Sequence, residues 1–281
     1  MSRNPWRDSR FLALLFGIPA AIVLWALLAA QIPLPRTNDL CTLLIVLGAL
    51  AAAIGNRRSL SKGDWLAAVL LGGIVGGGMA VATLFTPYPF LGIVHSREGQ
   101  AVVRGLSTGA AALGGIAILR RDGPVPFYAV SGEWRRAGLR LLLGLACGVP
   151  LAVLNVFALR LTQGQPIRWQ APLPAFLDAV QPALVEEVIY RFALWGLLWQ
   201  ILRRSLPDQA PRLAGLLALV THNLIHLDDL WLPSPLLALG MGTAMAVLWG
   251  LPLTFLARRK GLDAAIAFHW VQDAARFLAG Y

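Results

Sequence analysis

Charged residues are scarce in this chain. They make up 14% of its 281 residues, whereas hydrophobic residues make up 57% and the mean hydropathy is +0.66. A soluble domain usually has about 25% charged residues and about 50% apolar residues at most. The composition therefore excludes an ordinary soluble domain and predicts a polytopic membrane protein.

Cysteine is also rare, and long polar segments are missing. Cys41 and Cys147 are the two cysteines, and both lie inside apolar runs, which excludes a disulfide framework. The longest loop, about residues 120–140, is too short to bury a core of its own. The net charge of +10 does not indicate a nucleic-acid partner, because the basic residues cluster in short loops between apolar runs.

Apolar runs long enough for membrane helices fill most of the chain. A helix needs about 20 apolar residues to cross the hydrocarbon core. Nine runs are candidates: 11–31, 40–55, 64–86, 101–119, 141–159, 174–200, 212–227, 235–257 and 262–280. The second and seventh are short, so we predict an all-α, polytopic transmembrane helix bundle of about eight or nine membrane helices. Arg3, Arg7 and Arg10 precede the first run, which is too long for a signal peptide and is expected to be a retained helix.

The distribution of arginine and lysine predicts the orientation in the cell membrane. Cytoplasmic loops carry an excess of these residues. With a cytoplasmic N-terminus, the inside segments are 1–10, 56–63, 120–140, 201–212 and 258–261, which hold most of the basic residues. The opposite side then holds Arg36, Arg97, Arg104, Arg160 and Arg168. This asymmetry predicts nine spans, a cytoplasmic N-terminus and a C-terminus outside.

Glycines recur at small-xxx-small spacing in two of the runs. The segment 72–78 contains five glycines, and Gly105 and Gly109 are four residues apart. Small residues at this spacing let membrane helices approach closely. No Gly-Lys-Ser/Thr sequence follows, so a phosphate-binding loop is not indicated. We expect these glycines to pack helices together.

Two adjacent acids lie in the middle of the sixth apolar run. Glu186 and Glu187 are followed by Arg191, although a charge at membrane depth costs roughly 2.5 to 17 kcal/mol. Glu187 and Arg191 are four residues apart and are expected to form an ion pair on one helix face. Glu186 is turned by about 100°, toward the face of Tyr190, and has no local partner. It therefore suits a general acid or base, although a structural ion pair beside a water pocket is the alternative.

Three of the four histidines lie in later apolar runs. His222 and His226 are four residues apart, a spacing at which two imidazoles can bind a metal. The zincin motif requires Glu after the first histidine, and residue 223 is Asn, so that motif is absent. His222 is equally well explained by a hydrogen bond between helices. His269 and Asp273 are also four apart, so Asp273 can orient the imidazole or join a metal shell.

These residues together resemble a known family. The chain contains, in order, Glu186-Glu187-x-x-x-Arg191, a helix ending in His226, and His269-x-x-x-Asp273. With Pro182 four residues before the acid pair, this pattern is similar to the CAAX prenyl protease and bacteriocin-processing family of intramembrane proteases. The resemblance covers about residues 174–281, so we divide the chain into N-terminal membrane helices, 1–173, and a catalytic helical core, 174–281.

The resemblance implies a role for each residue. Glu186 would activate the attacking water, and Glu187 and Arg191 would support it. His226 would hold that water or stabilise the oxyanion, and His269 with Asp273 would complete the site. The chain departs from the family's usual residues at three positions, which carry His222, Phe192 and Asp273 in place of an aromatic residue, Gly and Asn. An ionised Asp273 cannot donate a hydrogen bond to an oxyanion.

The sequence leaves more than one possibility open for the cofactor and for the partners. A divalent metal such as zinc, if present, would be held by Glu186, His226 and His269, but a metal-free, glutamate-activated water is equally compatible. The expected partners are the lipid bilayer and a membrane-associated, lipidated or leader-peptide substrate. Two other functions use similar buried residues: a proton- or cation-coupled transporter and a non-catalytic scaffold or immunity protein.

Overall fold

The described part of the protein is built from helices. The computed structural model describes residues 4–86 and 88–281, so the predicted positive charge at Arg3 lies outside the described residues. Within them the one β-type pairing is an isolated bridge between Phe90 and Val94. The α-helices are α1 Ser9–Ala29, α2 Thr37–Gly55, α3 Lys62–Val81, α4 Arg97–Leu119, α5 Trp134–Gln163, α6 Pro172–Asp178, α7 Val180–Glu186, α8 Trp195–Leu202, α9 Ala210–Leu224, α10 Asp228–Trp231, α11 Pro235–Met245, α12 Leu251–Lys260 and α13 Leu262–Ala279.

Two π-helical segments join α-helices into longer rods. Residues Glu187–Leu194 connect α7 to α8, and residues Ala246–Gly250 connect α11 to α12. Among the described residues, six helices are long and apolar enough to cross a membrane: Ser9–Ala29, Thr37–Gly55, Lys62–Val81, Arg97–Leu119, Trp134–Gln163 and Pro235–Lys260. The predicted polytopic all-α bundle is therefore confirmed, and the predicted count of eight or nine helices is approximately consistent with it.

The three remaining predicted spans also form helices, but they are interrupted, short or more polar. They correspond to α6 through α8, to α9 and to α13. Each of them carries at least one of the acids or histidines singled out in the sequence. Length and interruption, besides polarity, therefore set these three segments apart from the six simple membrane spans.

Two helix boundaries differ from the apolar runs for identifiable reasons. The run 64–86 is helical only to Val81, because the buried carboxylate of Asp178 accepts hydrogen bonds from the backbone N–H groups of the next turn, Thr83 to Phe85. The run 174–200 is broken at Ala179. Pro182 has no N–H to bond to the carbonyl four residues earlier, and its ring disfavours that carbonyl's helical position.

Glycines bring α3 and α4 into backbone contact, as the spacing predicted. A Cβ atom at Gly72 would lie 2.6 Å from the carbonyl oxygen of Gly105, and one at Gly105 would lie 2.8 Å from that of Gly72. Gly109 also approaches Ala68 closely, with 3.2 Å between its would-be Cβ and the Ala68 oxygen. This face of α3 therefore has no room for larger residues.

The helix that carries the acid pair lies in the centre of the bundle. All residues from Glu187 to Leu194 are buried. Phe192, at the position where the resemblance implies glycine, packs against Gly115 of α4, and its ring is 5.6 Å from that of Phe127. Segments 1–173 and 174–281 both contribute to the same hydrophobic cluster. The N-terminal helices thus form part of the packing around the later ones.

Candidate active site

The acid pair lies where the α-helix changes to a π-helix. Glu186 is the last residue of α7, and Glu187 is the first residue of the π-helical segment. A π-turn widens the helix by one residue and is frequent at functional sites. The two adjacent carboxylates point into different surroundings, because successive residues of a helix are turned by about 100°.

Glu186 is surrounded by three imidazoles. The Oε2 atom lies 3.0 Å from Nε2 of His222, 3.6 Å from Nε2 of His269 and 3.9 Å from Nε2 of His226. The first distance is a hydrogen bond. The local sequence left Glu186 without a partner, but the fold brings histidines from α9, from the turn after it and from α13 to the same carboxylate oxygen.

Glu187 holds an arginine and a histidine at once. Its Oε1 atom accepts hydrogen bonds from Nη1 of Arg191 at 2.6 Å and from Nδ1 of His269 at 2.8 Å. The ion pair expected from the spacing of Glu187 and Arg191 is confirmed. Because a carboxylate only accepts hydrogen bonds, Nδ1 of His269 must carry the proton, and its Nε2 is the nitrogen that faces Glu186.

Asp273 is a second neighbour of His269. Its Oδ2 lies 3.4 Å from Nε2 of His269, and its Oδ1 lies 3.1 Å from Nη2 of Arg276. The sequence indicated Asp273 as the residue that orients the imidazole. The closer contact is instead made by Glu187, on the other ring nitrogen. Asp273 therefore supplies negative charge beside the Nε2 atom, partly neutralised by Arg276.

Tyr190 fixes His222 from the far side. The two rings are stacked, with 4.6 Å between their centroids and an interplanar angle of 24°. The Tyr190 hydroxyl donates to Oδ1 of Asn38 at 2.8 Å and lies 3.3 Å from Oγ1 of Thr42. These α2 residues were not predicted as part of the site. The helical spacing of Tyr190 and Glu186 was the one sequence signal that pointed to this side.

Exposure divides the site into an accessible part and a buried part. The side chains of Glu186 and His226 are 25% and 33% exposed, whereas those of Glu187 and Arg191 are 0% and 4% exposed. His222, His269 and Asp273 lie between these limits. A bound molecule can therefore reach Glu186 and His226, whereas Glu187 and Arg191 are buried beneath them and out of its reach.

The donor atoms near Glu186 fit a divalent metal. One ligand atom each from Glu186, His222 and His226 lie within 4.8 Å of one another. Two ligand atoms about 2.1 Å from a tetrahedral zinc are about 3.4 Å apart, and the Nε2 atoms of His222 and His226 lie 3.4 Å apart. The sequence suggested His269 as the third ligand. His269 lies beside Glu186 but is not part of that group.

Comparison with known proteins identifies the same part of the chain. Residues 168–275 match the family model described as type II CAAX prenyl endopeptidase Rce1-like. The matched segment includes all six residues predicted for the site, together with His222. The resemblance inferred from the three motifs is therefore confirmed for this segment. No curated protein and no solved structure matches the chain.

Proposed function

We propose that this protein is an intramembrane endopeptidase of the CAAX type, which hydrolyses a peptide bond of a membrane-associated substrate. The observation that carries the proposal is the convergence of three imidazoles on one carboxylate oxygen inside the matched segment. A carboxylate next to histidines, partly exposed in an otherwise buried site, is an arrangement suited to general-base catalysis.

Glu186 is the proposed general base. The imidazoles make their closest approach to Oε2, so Oε1 is the oxygen we assign to the reacting water. Glu186 takes a proton from the water while the water oxygen attacks the peptide carbonyl carbon. The same proton then passes to the amide nitrogen as the C–N bond breaks, which regenerates the carboxylate and releases an acid and an amine.

The imidazoles are the proposed donors to the oxyanion. Asp273 cannot donate when it is ionised, so the available donor near Glu186 is an N–H group of His226, or Nε2–H of His269 when both nitrogens of that ring are protonated. Glu187 and Arg191 are positioning residues, because they hold His269 through Nδ1 and do not face the accessible side. Tyr190 positions His222 in the same way.

With a metal bound, His226 would be one of its ligands and would be replaced by the metal as the group that stabilises the oxyanion. Glu186, His222 and His226 would hold a divalent metal, which would supply Lewis-acid polarisation of the substrate carbonyl. The proposed substrates are membrane-associated peptides or proteins, with a lipidated or leader-type segment among them. The proposed location is the cell membrane, with the N-terminus in the cytoplasm.

The test is a substitution that changes the carboxylate and little else. Protein purified into lipid nanodiscs is incubated with a library of membrane-anchored peptides, and new termini are detected by mass spectrometry. Glu186→Gln keeps the side-chain size but removes the base, so cleavage is expected to fall by on the order of 10²- to 10⁴-fold.

The matched control is Glu133→Gln, which neutralises an exposed acid paired with Arg136 far from the site. It is expected to cleave like the wild type. Undiminished cleavage by Glu186→Gln, with the variant folded and at equal concentration, would refute the assignment of Glu186. Absence of cleavage by the wild type across the library would count against the endopeptidase itself.

A further inference from the structure

Contacts between loops divide the helix ends into two faces. The first, which we name the arginine-rich face, comprises segments 4–8, 56–61, 120–133, 203–209 and 258–263. The last four of these segments are tied together by a hydrogen bond from Arg121 to Asn56, by one from Arg203 to the Arg121 carbonyl oxygen, and by two from backbone N–H groups at 128 and 129 to the Asp263 carboxylate.

The second, which we name the site face, comprises segments 30–36, 82–96 except residue 87, 164–171, 225–234 and 280–281. The Thr37 N–H donates to Asp228, and the Leu91 N–H donates to Asp39. The Arg168 N–H donates to the carbonyl oxygen of Ala279, next to the end of α13. Together with the contacts of Asp178 described above, these bonds place all five segments at one end of the bundle.

Basic residues are concentrated at the first of these faces. Sixteen arginines and lysines of the described residues lie at it or within about two helical turns of it: Arg7, Arg10, Arg57, Arg58, Lys62, Arg120, Arg121, Arg135, Arg136, Arg140, Arg203, Arg204, Arg212, Arg258, Arg259 and Lys260. Six lie toward the site face: Arg36, Arg97, Arg104, Arg160, Arg168 and Arg276. Because cytoplasmic segments of membrane proteins carry the excess of basic residues, this distribution favours a cytoplasmic arginine-rich face.

The candidate site lies in the other half of the bundle. His226 follows the last residue of α9 and is in a site-face segment, and Asn38 is the second residue of α2. Glu186 is eight residues after Asp178, which bonds to the site-face backbone at Thr83 to Phe85, and Asp273 is six residues from the end of α13. At about 1.5 Å per residue these separations are about 12 Å and about 9 Å along the helices. A hydrocarbon core is about 30 Å thick, so these residues lie in the half nearer the site face.

We infer that the site is reached from the non-cytoplasmic side of the membrane and takes substrates whose scissile bond lies in, or just outside, the non-cytoplasmic leaflet. That a substrate is cleaved at this site rests on the proposed function. The side of the membrane on which the site residues lie does not depend on it. It favours exported or membrane-inserted polypeptides. A protein attached by a lipid to the cytoplasmic leaflet would present its peptide bonds to the wrong half of the bundle.

The test measures sidedness directly, with a membrane-impermeant maleimide as the probe. In a Cys41→Ala/Cys147→Ala background, three variants are compared in sealed right-side-out vesicles from a bacterial host. His95→Cys reports on an exposed position of the site face, Arg57→Cys on an exposed position of the arginine-rich face, and His226→Cys on the site itself. The same variants in inverted vesicles supply the matched control.

The expected result is that His95→Cys and His226→Cys react in right-side-out vesicles, whereas Arg57→Cys reacts only in inverted ones. Reaction of Arg57→Cys in right-side-out vesicles, or failure of either other variant to react there, overturns the inference. Labelling does not depend on catalysis. Labelling can therefore contradict the inferred side of the membrane while Glu186→Gln still abolishes cleavage. Equally, labelling can support the inferred side while Glu186→Gln leaves cleavage unchanged.

Discussion

At the scale of single residues, the Glu187 carboxylate is a charge held in the interior of the protein. It is fully buried, and one of its oxygens accepts from both Arg191 and His269. Its other oxygen, Oε2, is buried with no hydrogen-bond partner among the described residues. A buried charge of this kind is stable only while its partner remains, because each ion has lost its hydration.

Replacement of Glu187 is therefore expected to destabilise the protein. Glu187→Gln leaves the Arg191 guanidinium buried without a counter-charge, and the expected loss is about 3–5 kcal/mol of unfolding free energy. Thermal unfolding of the detergent-solubilised protein measures this as a large fall in midpoint temperature. Removing both charges with Glu187→Gln/Arg191→Met is expected to restore part of the loss.

The adjacent acid provides the comparison for that experiment. Glu186→Gln affects a side chain that is 25% exposed, so its unfolding temperature is expected to change much less than that of Glu187→Gln. Equal destabilisation by the two substitutions would contradict the division into an accessible carboxylate and a buried supporting one.

Side-chain pairs close in sequence were predictable, and those from distant helices were not. Helical spacing gave the Glu187–Arg191 ion pair correctly, because both partners lie on one helix. It also predicted that Asp273 can orient His269 or join a metal shell, because that pair is four residues apart. The closer partner of His269 is Glu187, 82 positions away in sequence. Asn38 and Thr42 had no signal at all, since a contact with Tyr190 exists only after α2 packs against the acid-bearing helix.

At the scale of helices, the contact between α3 and α4 depends on the absence of side chains. Gly105→Ala would place a Cβ atom 2.8 Å from the backbone oxygen of Gly72, so the helices must separate. The expected cost is about 1–3 kcal/mol of unfolding free energy, as for other overpacked sites. Thermal unfolding in detergent at matched lipid content measures it.

Gly73→Ala is the matched control for this prediction. It adds the same methyl group to α3, but no atom of another element lies within 4 Å of the new Cβ. Its stability is expected to be unchanged or slightly higher, because alanine favours a helix by about 1 kcal/mol over glycine. A similar loss for both variants would show that glycine flexibility, and not the close approach, is what matters.

Helix boundaries were predictable only as far as their causes are local. The break at Ala179 has a local cause, Pro182, which is visible in the sequence. The hydropathy of the run 174–200 gave no sign of this break. The end of α3 at Val81 depends on Asp178, which is 95 residues from Thr83, so hydropathy could not locate it. The π-helical segment after Glu186 has no simple sequence signature.

At the scale of the whole molecule, the two faces predict the side of the membrane on which residue 281 lies. Residue 281 lies at the site face, where the Tyr281 hydroxyl donates to the carbonyl oxygen of Gln165. A phosphatase reporter fused after Tyr281 is therefore expected to be active on the non-cytoplasmic side, and a fluorescent protein fused there is expected to be dark. Fusions after Arg121, in the arginine-rich face, serve as the comparison and are expected to give the opposite readings. A bright fluorescent fusion after Tyr281 would contradict the orientation.

The overall architecture was predictable because lipid imposes simple rules. Composition and run length gave an all-helical, multi-pass bundle, and the three motifs gave the segment that matches the Rce1-like family. What these rules could not supply was the lateral arrangement of the rods. That arrangement decides that His222 bonds to Glu186 and that α2 closes one side of the site.

The widened turn between Glu187 and Leu194 accommodates one residue more than ordinary helical pitch would. Excising one residue there would let the segment return to ordinary pitch, and the helix downstream would stay close to its present orientation. Trp195, whose ring occupies the gap left by Gly215, would then keep its neighbour. The same deletion in an ordinary α-helical segment would rotate everything downstream by about 100°, so this turn is the point at which the central helix can best tolerate a change in length.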